Sequence, residues 1–187
     1  DYDLWYVERN GDTWSEAIHL SEVINTAANE FYPSIANDGS IYFTATYENT
    51  KGKEDIYVSR LKDGEYQAPE SLSESVNSPT WEFNAFVAPD ESYIIFSSFG
   101  REDDMGGGDL YISMKGKDGK WQPAKHLPDV VNGTTLDYCP FVNNDGNLYF
   151  TSSKPAYKGT MNYKEIVATH NQLENGLDNV YLISLKQ

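Results

Sequence analysis

The chain has 187 residues, 39% of them hydrophobic and 14% aromatic, and no stretch approaches the roughly 20 apolar residues of a membrane helix. Fourteen lysines and arginines stand against 29 aspartates and glutamates, a formal net charge of −15. That balance argues against nucleic acid as a partner, because phosphate binding needs a basic face, and the single cysteine, Cys139, excludes an intrachain disulfide.

Taken in chain order, residues 1–25 hold an Asp-x-aromatic strand, Asp3-Leu-Trp-Tyr-Val7, and an aromatic, Trp14, six residues before Leu20. They close on the pair Ile24-Asn25. Residues 29–77 add a new beginning: an acid, Glu30, opens an apolar strand that reaches a turn at Asp38-Gly39, followed by a second strand from Ile41 to Thr44. The earlier landmarks then return as Asp55-Ile-Tyr-Val-Ser59, Tyr66 before Leu72, and Val76-Asn77. Residues 81–132 repeat the set with Glu82, the turn Asp90-Glu91, Tyr93 to Ser97, Asp109-Leu-Tyr-Ile-Ser113, Trp121 before Leu127, and Val131-Asn132. Residues 136–187 begin a further copy with Asp137, the turn Asp145-Gly146, and Leu148 to Thr151, and end with Asn179-Val-Tyr-Leu-Ile183.

The spacings are fixed. Each turn Asp lies eight residues after its acid, and Trp14, Tyr66 and Trp121 each precede the next acid by 16. Successive acids are 52 and 55 residues apart. About four short strands in some 50 residues, divided by Asp-Gly and Gly-rich turns, describe a β-propeller blade. The expected fold is therefore all-β: four-stranded antiparallel blades, about three of them plus an outer half-blade at 1–25, with inner strands near 31–36, 83–88 and 138–143. Three acid-led strands are too few for a ring of about 4–8 blades. The chain thus reads as part of a larger propeller, whose missing N-terminal blades or a partner chain would close the ring.

The stretches Asp-Gly-x-(Leu/Ile)-Tyr-Phe-Thr and Gly-Gly-Asp-Leu-Tyr-Ile-Ser resemble the WD40-like β-propeller repeat of the TolB type, over residues 1–152 and 175–185. The resemblance implies a propeller in a periplasmic or extracellular setting and leaves the ligand open. An insertion at 153–177 breaks the repeat. Asn162 to Glu174 has a helical pattern with Ile166, Val167 and Leu173 inward and a stop at Asn175-Gly176. It is either a lid or brace on the last blade or a specificity element.

Two acidic sets invite a metal reading. Glu30, Glu82 and Asp137, turned to a central channel, would form a carboxylate ring suited to Ca²⁺. Recurrence in every blade favours the alternative, in which each acid accepts N–H bonds from the adjacent blade. Asp103, Asp104 and Asp109 surround a glycine run that could wrap Ca²⁺, although the EF-hand spacing is absent and the glycines also suit a tight connection. His19 and His126 share one repeat position, taken by Ser71 in between, which makes them structural; His170 stands alone in the insertion. Trp14, Tyr66 and Trp121 are expected in blade packing, and Cys139 as a small buried apolar group. The favoured function is a non-catalytic scaffold binding a protein, peptide or glycan on one face. The alternatives are a metal-assisted polysaccharide lyase or hydrolase with its site at the channel, and the gating propeller of a larger serine peptidase.

Overall fold

The computed structural model describes residues 1–155 and 159–185. Its sheets are all antiparallel, and its one described helix is Tyr163–His170. Sheet I pairs Trp5–Tyr6 with Ile18–His19. Sheet II runs, in spatial order, Glu30–Ile35, Ile41–Ala45, Asp55–Ser59, Glu70–Ser71. Sheet III repeats that order with Trp81–Val87, Tyr93–Phe99, Asp109–Met114 and Lys125–His126, and sheet IV has Asp137–Val142, Asn147–Ser152 and Asn179–Ser184. The acid-led strands thus begin one or two residues earlier than expected, and sheet I corresponds to the third and fourth strands of the unit seen in sheets II and III.

Alternation along each strand explains the core. Successive side chains point to opposite sheet faces, so a strand covered on both faces is mostly apolar, as Ile41–Ala45 is: all five residues are buried, with Thr44 the one polar member, accepting from the Asn84 N–H. Leu4, Leu20 and Ile24 of sheet I cluster with Ile41, Phe43 and Tyr57 of sheet II. Ile56, Val58 and Leu72 on the other face of sheet II cluster with Val87, Ile94, Phe96 and Tyr111 of sheet III. Phe86, Ile95 and Leu110 in turn cluster with Val142, Leu148 and Phe150 of sheet IV. The molecule is held by three sheet-to-sheet cores, each built from the forward face of one sheet and the back face of the next.

Each acid-led strand carries a bulge at the same place, between Phe31 and Ser34, Phe83 and Phe86, and Tyr138 and Phe141. The residue two after the acid has left-handed backbone: Tyr32 (φ 53°), Asn84 (φ 50°) and Cys139 (φ 53°). None is glycine, so each position carries strain of about 1–3 kcal/mol that the surrounding packing must offset. Cys139 is half-buried in this bend rather than enclosed in a core.

Strand Asn179–Ser184 pairs only with Asn147–Ser152, and Ile18–His19 only with Trp5–Tyr6, so the sheets close into no barrel or ring among the described residues. The insertion departs from expectation. Its helix spans Tyr163–His170 and has no buried residue; Ile166, Val167 and Leu173 are exposed instead of turned inward. The pattern was amphipathic, but among the described residues no surface covers that face. An Asn162–Glu165 capping box starts the helix, and Asn175 Nδ2 donates to the His170 carbonyl after its end. Residues 156–158 of the insertion and 186–187 of the last expected blade lie outside the described residues. No described helix is long and apolar enough to cross a membrane.

Candidate functional site

The chemistry-bearing residues fall into a repeated framework and one groove. In the framework, a buried asparagine at the end of each unit acts as a substitute β-strand. Asn77 Oδ1 accepts from the Ile56 N–H at 2.9 Å while its Nδ2 donates to the carbonyls of Ile56 and Leu72. Asn25 does the same for Leu4 and Leu20, and Asn132 for Leu110 and Leu127. Beside each asparagine sits a second polar residue that engages the aspartate opening the third strand. Ser71 donates to Asp55, while His19 Nε2 lies 3.0 Å from Asp3 and His126 Nε2 2.9 Å from Asp109. Both hydrogens of Asn132 Nδ2 are used by the Leu110 and Leu127 carbonyls, so His126 Nε2 is left to donate to Asp109. The two histidines therefore do the work of the Ser71 hydroxyl. His170 is exposed at the helix end.

The three repeat acids are fully buried or nearly so. Each accepts the N–H of the residue four before it, namely Thr26, Ser78 and Gly133. Their own N–H groups donate to the carbonyls of Tyr2, Glu54 and Gly108 in the preceding unit. Each acid thus ties two consecutive sheets together through its backbone and side chain. Sequence reasoning missed the groups that complete this joint. Arg101 reaches from sheet III across the stacked Phe96–Tyr111 pair to the Val76 carbonyl and Glu82. Lys154 repeats the reach over Phe150 and Tyr181 to the Val131 carbonyl, and Tyr47 donates its hydroxyl to the equivalent Ile24 carbonyl.

The glycine-run acids are engaged locally, although Asp109 Oδ1 is buried without a hydrogen-bond partner among the described residues. Asp103 accepts from the Tyr111 hydroxyl, Asp104 from the N–H groups of Gly100 and Gly106, and Asp109 from the Met105 N–H as well as His126. A Cβ on Gly107 would lie 2.7 Å from the Leu136 nitrogen, so the run lets the strand connection pass close to the next unit. Among the described residues no three His, Cys, Asp or Glu side chains come together in a group able to hold a metal ion. Of the three repeat aromatics, Trp121 is buried between sheets II and III and Tyr66 packs beside sheets I and II. Trp14 is 65% exposed, a correction to its expected packing role: among the described residues no sheet lies against it.

One charged cluster does not repeat. Where the other hairpins have Gly39 and Gly146, sheet III has Glu91 at φ 56°. Its carboxylate accepts from the Tyr42 hydroxyl, from Arg60 of the preceding unit, and from Lys115 at 2.6 Å. Burial alone would push Glu91 up; the bonds from Lys115, Tyr42 and Arg60, with the Arg60 charge, outweigh it and hold the carboxyl down at about 2. A carboxyl lowered on folding stabilises above its ordinary value near 4.5 and loses that contribution as pH falls towards 2. In urea titrations at several pH values, wild type is expected to exceed Glu91→Gln by about 1.5–3 kcal/mol at pH 7, with the gap closing between pH 5 and 2. A gap that does not change with pH would contradict the ion-pair assignment.

The groove lies where the acid-led strands of sheets II, III and IV converge. It encloses about 430 Å³ and is lined by residues of all three strands, with Pro33, Pro89 and Pro140 among them. Phe86 and Phe141 meet edge to face at 5.6 Å, and the Tyr32 hydroxyl spans the groove to the Pro140 carbonyl at 3.3 Å. Ile35 and Phe141 are 61% and 54% exposed at its mouth. No side chain of the lining carries a charge. A scan against protein-family models found no match, and a search of curated proteins found no relative.

Proposed function

We propose that sheets I to IV are successive units of a TolB-like β-propeller and that the chain is a non-catalytic scaffold, working in the bacterial envelope, that binds a protein or peptide segment in the groove between the acid-led strands. The observation that carries the reading is the groove itself: three units contribute to one uncharged, apolar cleft with Ile35 and Phe141 presented at its mouth. Apolar pockets with few polar groups suit an apolar side chain on an extended segment. A sugar would require more hydrogen-bonding partners than this lining offers, which favours peptide over glycan. His19, His126 and the repeat acids support a scaffold because each has an architectural partner that recurs from unit to unit.

The test is a peptide display selection on the immobilised protein, followed by affinity measurement with Phe141→Asp and Ile35→Asp. Selected peptides should be apolar, and each substitution should weaken them by at least tenfold, about 1.4 kcal/mol. Peptides that bind wild type and both variants equally would place the binding face elsewhere.

A further inference from the structure

Three hairpin turns surround the groove at the ends of the acid-led strands. Pro89 and Asn144, both in the groove lining, are followed directly by Asp90 and Asp145. The third turn, Asn37-Asp38, is held against the second by the Asn37 N–H, which donates to the Pro89 carbonyl at 2.7 Å. All three aspartates are exposed. The uncharged cleft therefore has a rim of negative charge, to which each unit that lines it contributes one carboxylate.

The cations at this end of the molecule do not neutralise the rim. Arg60 and Lys115 are both bound to the Glu91 carboxylate, with Arg60 Nη1 a further 3.7 Å from Asp38. Among the described residues no lysine, arginine or histidine forms an ion pair with Asp90 or Asp145. Nor does turn geometry account for the charge. Asp38 and Asp90 accept from the N–H and hydroxyl of Ser40 and Ser92, bonds that need an acceptor oxygen and no charge. In the turn of sheet IV that task passes to Asn143, whose Oδ1 accepts the N–H groups of Asp145 and Asn147. The Asp145 carboxylate accepts no hydrogen bond among the described residues, yet the residue is an aspartate.

The rim charge decides between occupants. Another unit of this repeat, laid against the mouth by the same end, would bring its own turn aspartate, and like charges facing each other cost affinity. A segment carrying positive charge gains instead. We propose that the groove takes a cationic peptide segment: an apolar side chain seated on Ile35 and Phe141, with lysine or arginine on either side of it reaching Asp90 and Asp145. This rests on the groove reading and adds to it the charge of the partner.

The experiment measures binding of three blocked synthetic peptides to the full chain by fluorescence anisotropy. Each has the same apolar centre, Leu-Phe-Leu, flanked on both sides by two lysines, two serines or two glutamates. At about 50 mM salt the lysine-flanked peptide should bind about tenfold tighter than the serine-flanked one, since each exposed ion pair contributes a few-fold; the glutamate-flanked one should bind weakest. At about 500 mM salt the lysine advantage should largely vanish, because exposed charges are screened. Asp90→Asn combined with Asp145→Asn keeps the acceptor oxygens of the turns and should bring the lysine-flanked peptide down to the serine-flanked one. Asp145→Asn alone, at a carboxylate with no hydrogen bond to lose, repeats the test should the double variant misfold. Ile35→Ser and Phe141→Ser remove apolar surface without adding charge and should weaken all three peptides alike; circular dichroism verifies that each variant is folded. The proposal is overturned by equal binding of the lysine- and serine-flanked peptides, by a lysine preference that survives the aspartate variants, or by failure of the lysine-flanked peptide to bind. Equal binding that is lost in Ile35→Ser and Phe141→Ser removes the charge of the partner and leaves the groove reading standing. Lysine-dependent binding untouched by those two variants overturns both.

Discussion

Replacing Asn77 with aspartate is expected to destabilise the fold by about 3–5 kcal/mol, the cost of leaving a buried charge uncompensated. The change is nearly isosteric, which isolates the chemistry. Asn77 is fully buried, and its Nδ2 faces the carbonyl oxygens of Ile56 and Leu72 and the Ser71 hydroxyl. An aspartate oxygen there would be an acceptor against two acceptors. Alanine at the same position removes the conflict but leaves the Ile56 N–H without its acceptor, at about 1–3 kcal/mol, while the Ile56 carbonyl keeps the Leu72 N–H and the Leu72 carbonyl keeps Lys51 Nζ. Urea unfolding at pH 7 should therefore rank wild type well above both variants. Protein that unfolds within about 1 kcal/mol of wild type when Asn77 is aspartate would mean that the asparagine bracket contributes little, given that hydrogen bonds are worth about that much each. The same logic extends to Asn25 and Asn132, which make the equivalent bonds in their own units.

How much of this was legible in the sequence depends on what carried each feature. The units were readable because the acid, the turn, the third strand and the Val/Ile-Asn pair recur at fixed spacing. Their partnerships were not. Asn77 bonds Ile56 from 21 residues away, and Ser71 bonds Asp55 from 16; the residues were visible as separate landmarks, but no local rule says that they touch. The bulges at Tyr32, Asn84 and Cys139 were hidden because a left-handed backbone usually announces itself by glycine, and three dissimilar side chains share the position. Tyr47, Arg101 and Lys154 were hidden for a related reason. They fill one structural slot with a phenol, a guanidinium and an ammonium, and only the carbonyls they reach reveal the equivalence. The insertion helix shows the opposite failure: its pattern implied a buried face, yet Ile166 and Val167 have no covering surface among the described residues. Exposure of Trp14 has the same root: its repeat position predicted packing, yet among the described residues no sheet lies against it.

Of the three repeat acids, Glu82 is expected to be the one whose loss is most damaging, and the contrast with Asp137 tests whether these carboxylates serve architecture or a cation. Glu82 accepts from the Ser78 N–H and hydroxyl, from the Ser98 hydroxyl, and from Arg101 at 2.9 Å, all around a fully buried carboxylate. Glu82→Ala would strand a guanidinium that is only 16% exposed, so a cost of about 3–5 kcal/mol follows. Asp137 is one methylene shorter, and its unit has Gly133 where the preceding one has Ser78. Lys154 Nζ stays 3.9 Å away, and Asp137 Oδ1 and Ser152 Oγ have no hydrogen-bond partner among the described residues. Burial pushes the Asp137 carboxyl above its ordinary range. Asp137→Ala should therefore cost less, about 1–2 kcal/mol, chiefly for the Gly133 N–H left without an acceptor. Asp137→Glu combined with Gly133→Ser would restore the arrangement of the preceding unit. A Cβ on Gly133 would meet Lys154 Cε at 3.2 Å, a flexible side chain that can shift, and the backbone there is not left-handed. That double variant is expected to gain stability of about 0.5–1.5 kcal/mol, the worth of one added hydrogen bond. Calorimetric titration with Ca²⁺ on the same proteins supplies the opposing outcome. If Glu82→Ala leaves the unfolding midpoint unchanged while abolishing Ca²⁺ binding seen in wild type, the carboxylates hold a cation and the joint between sheets is held by the backbone alone.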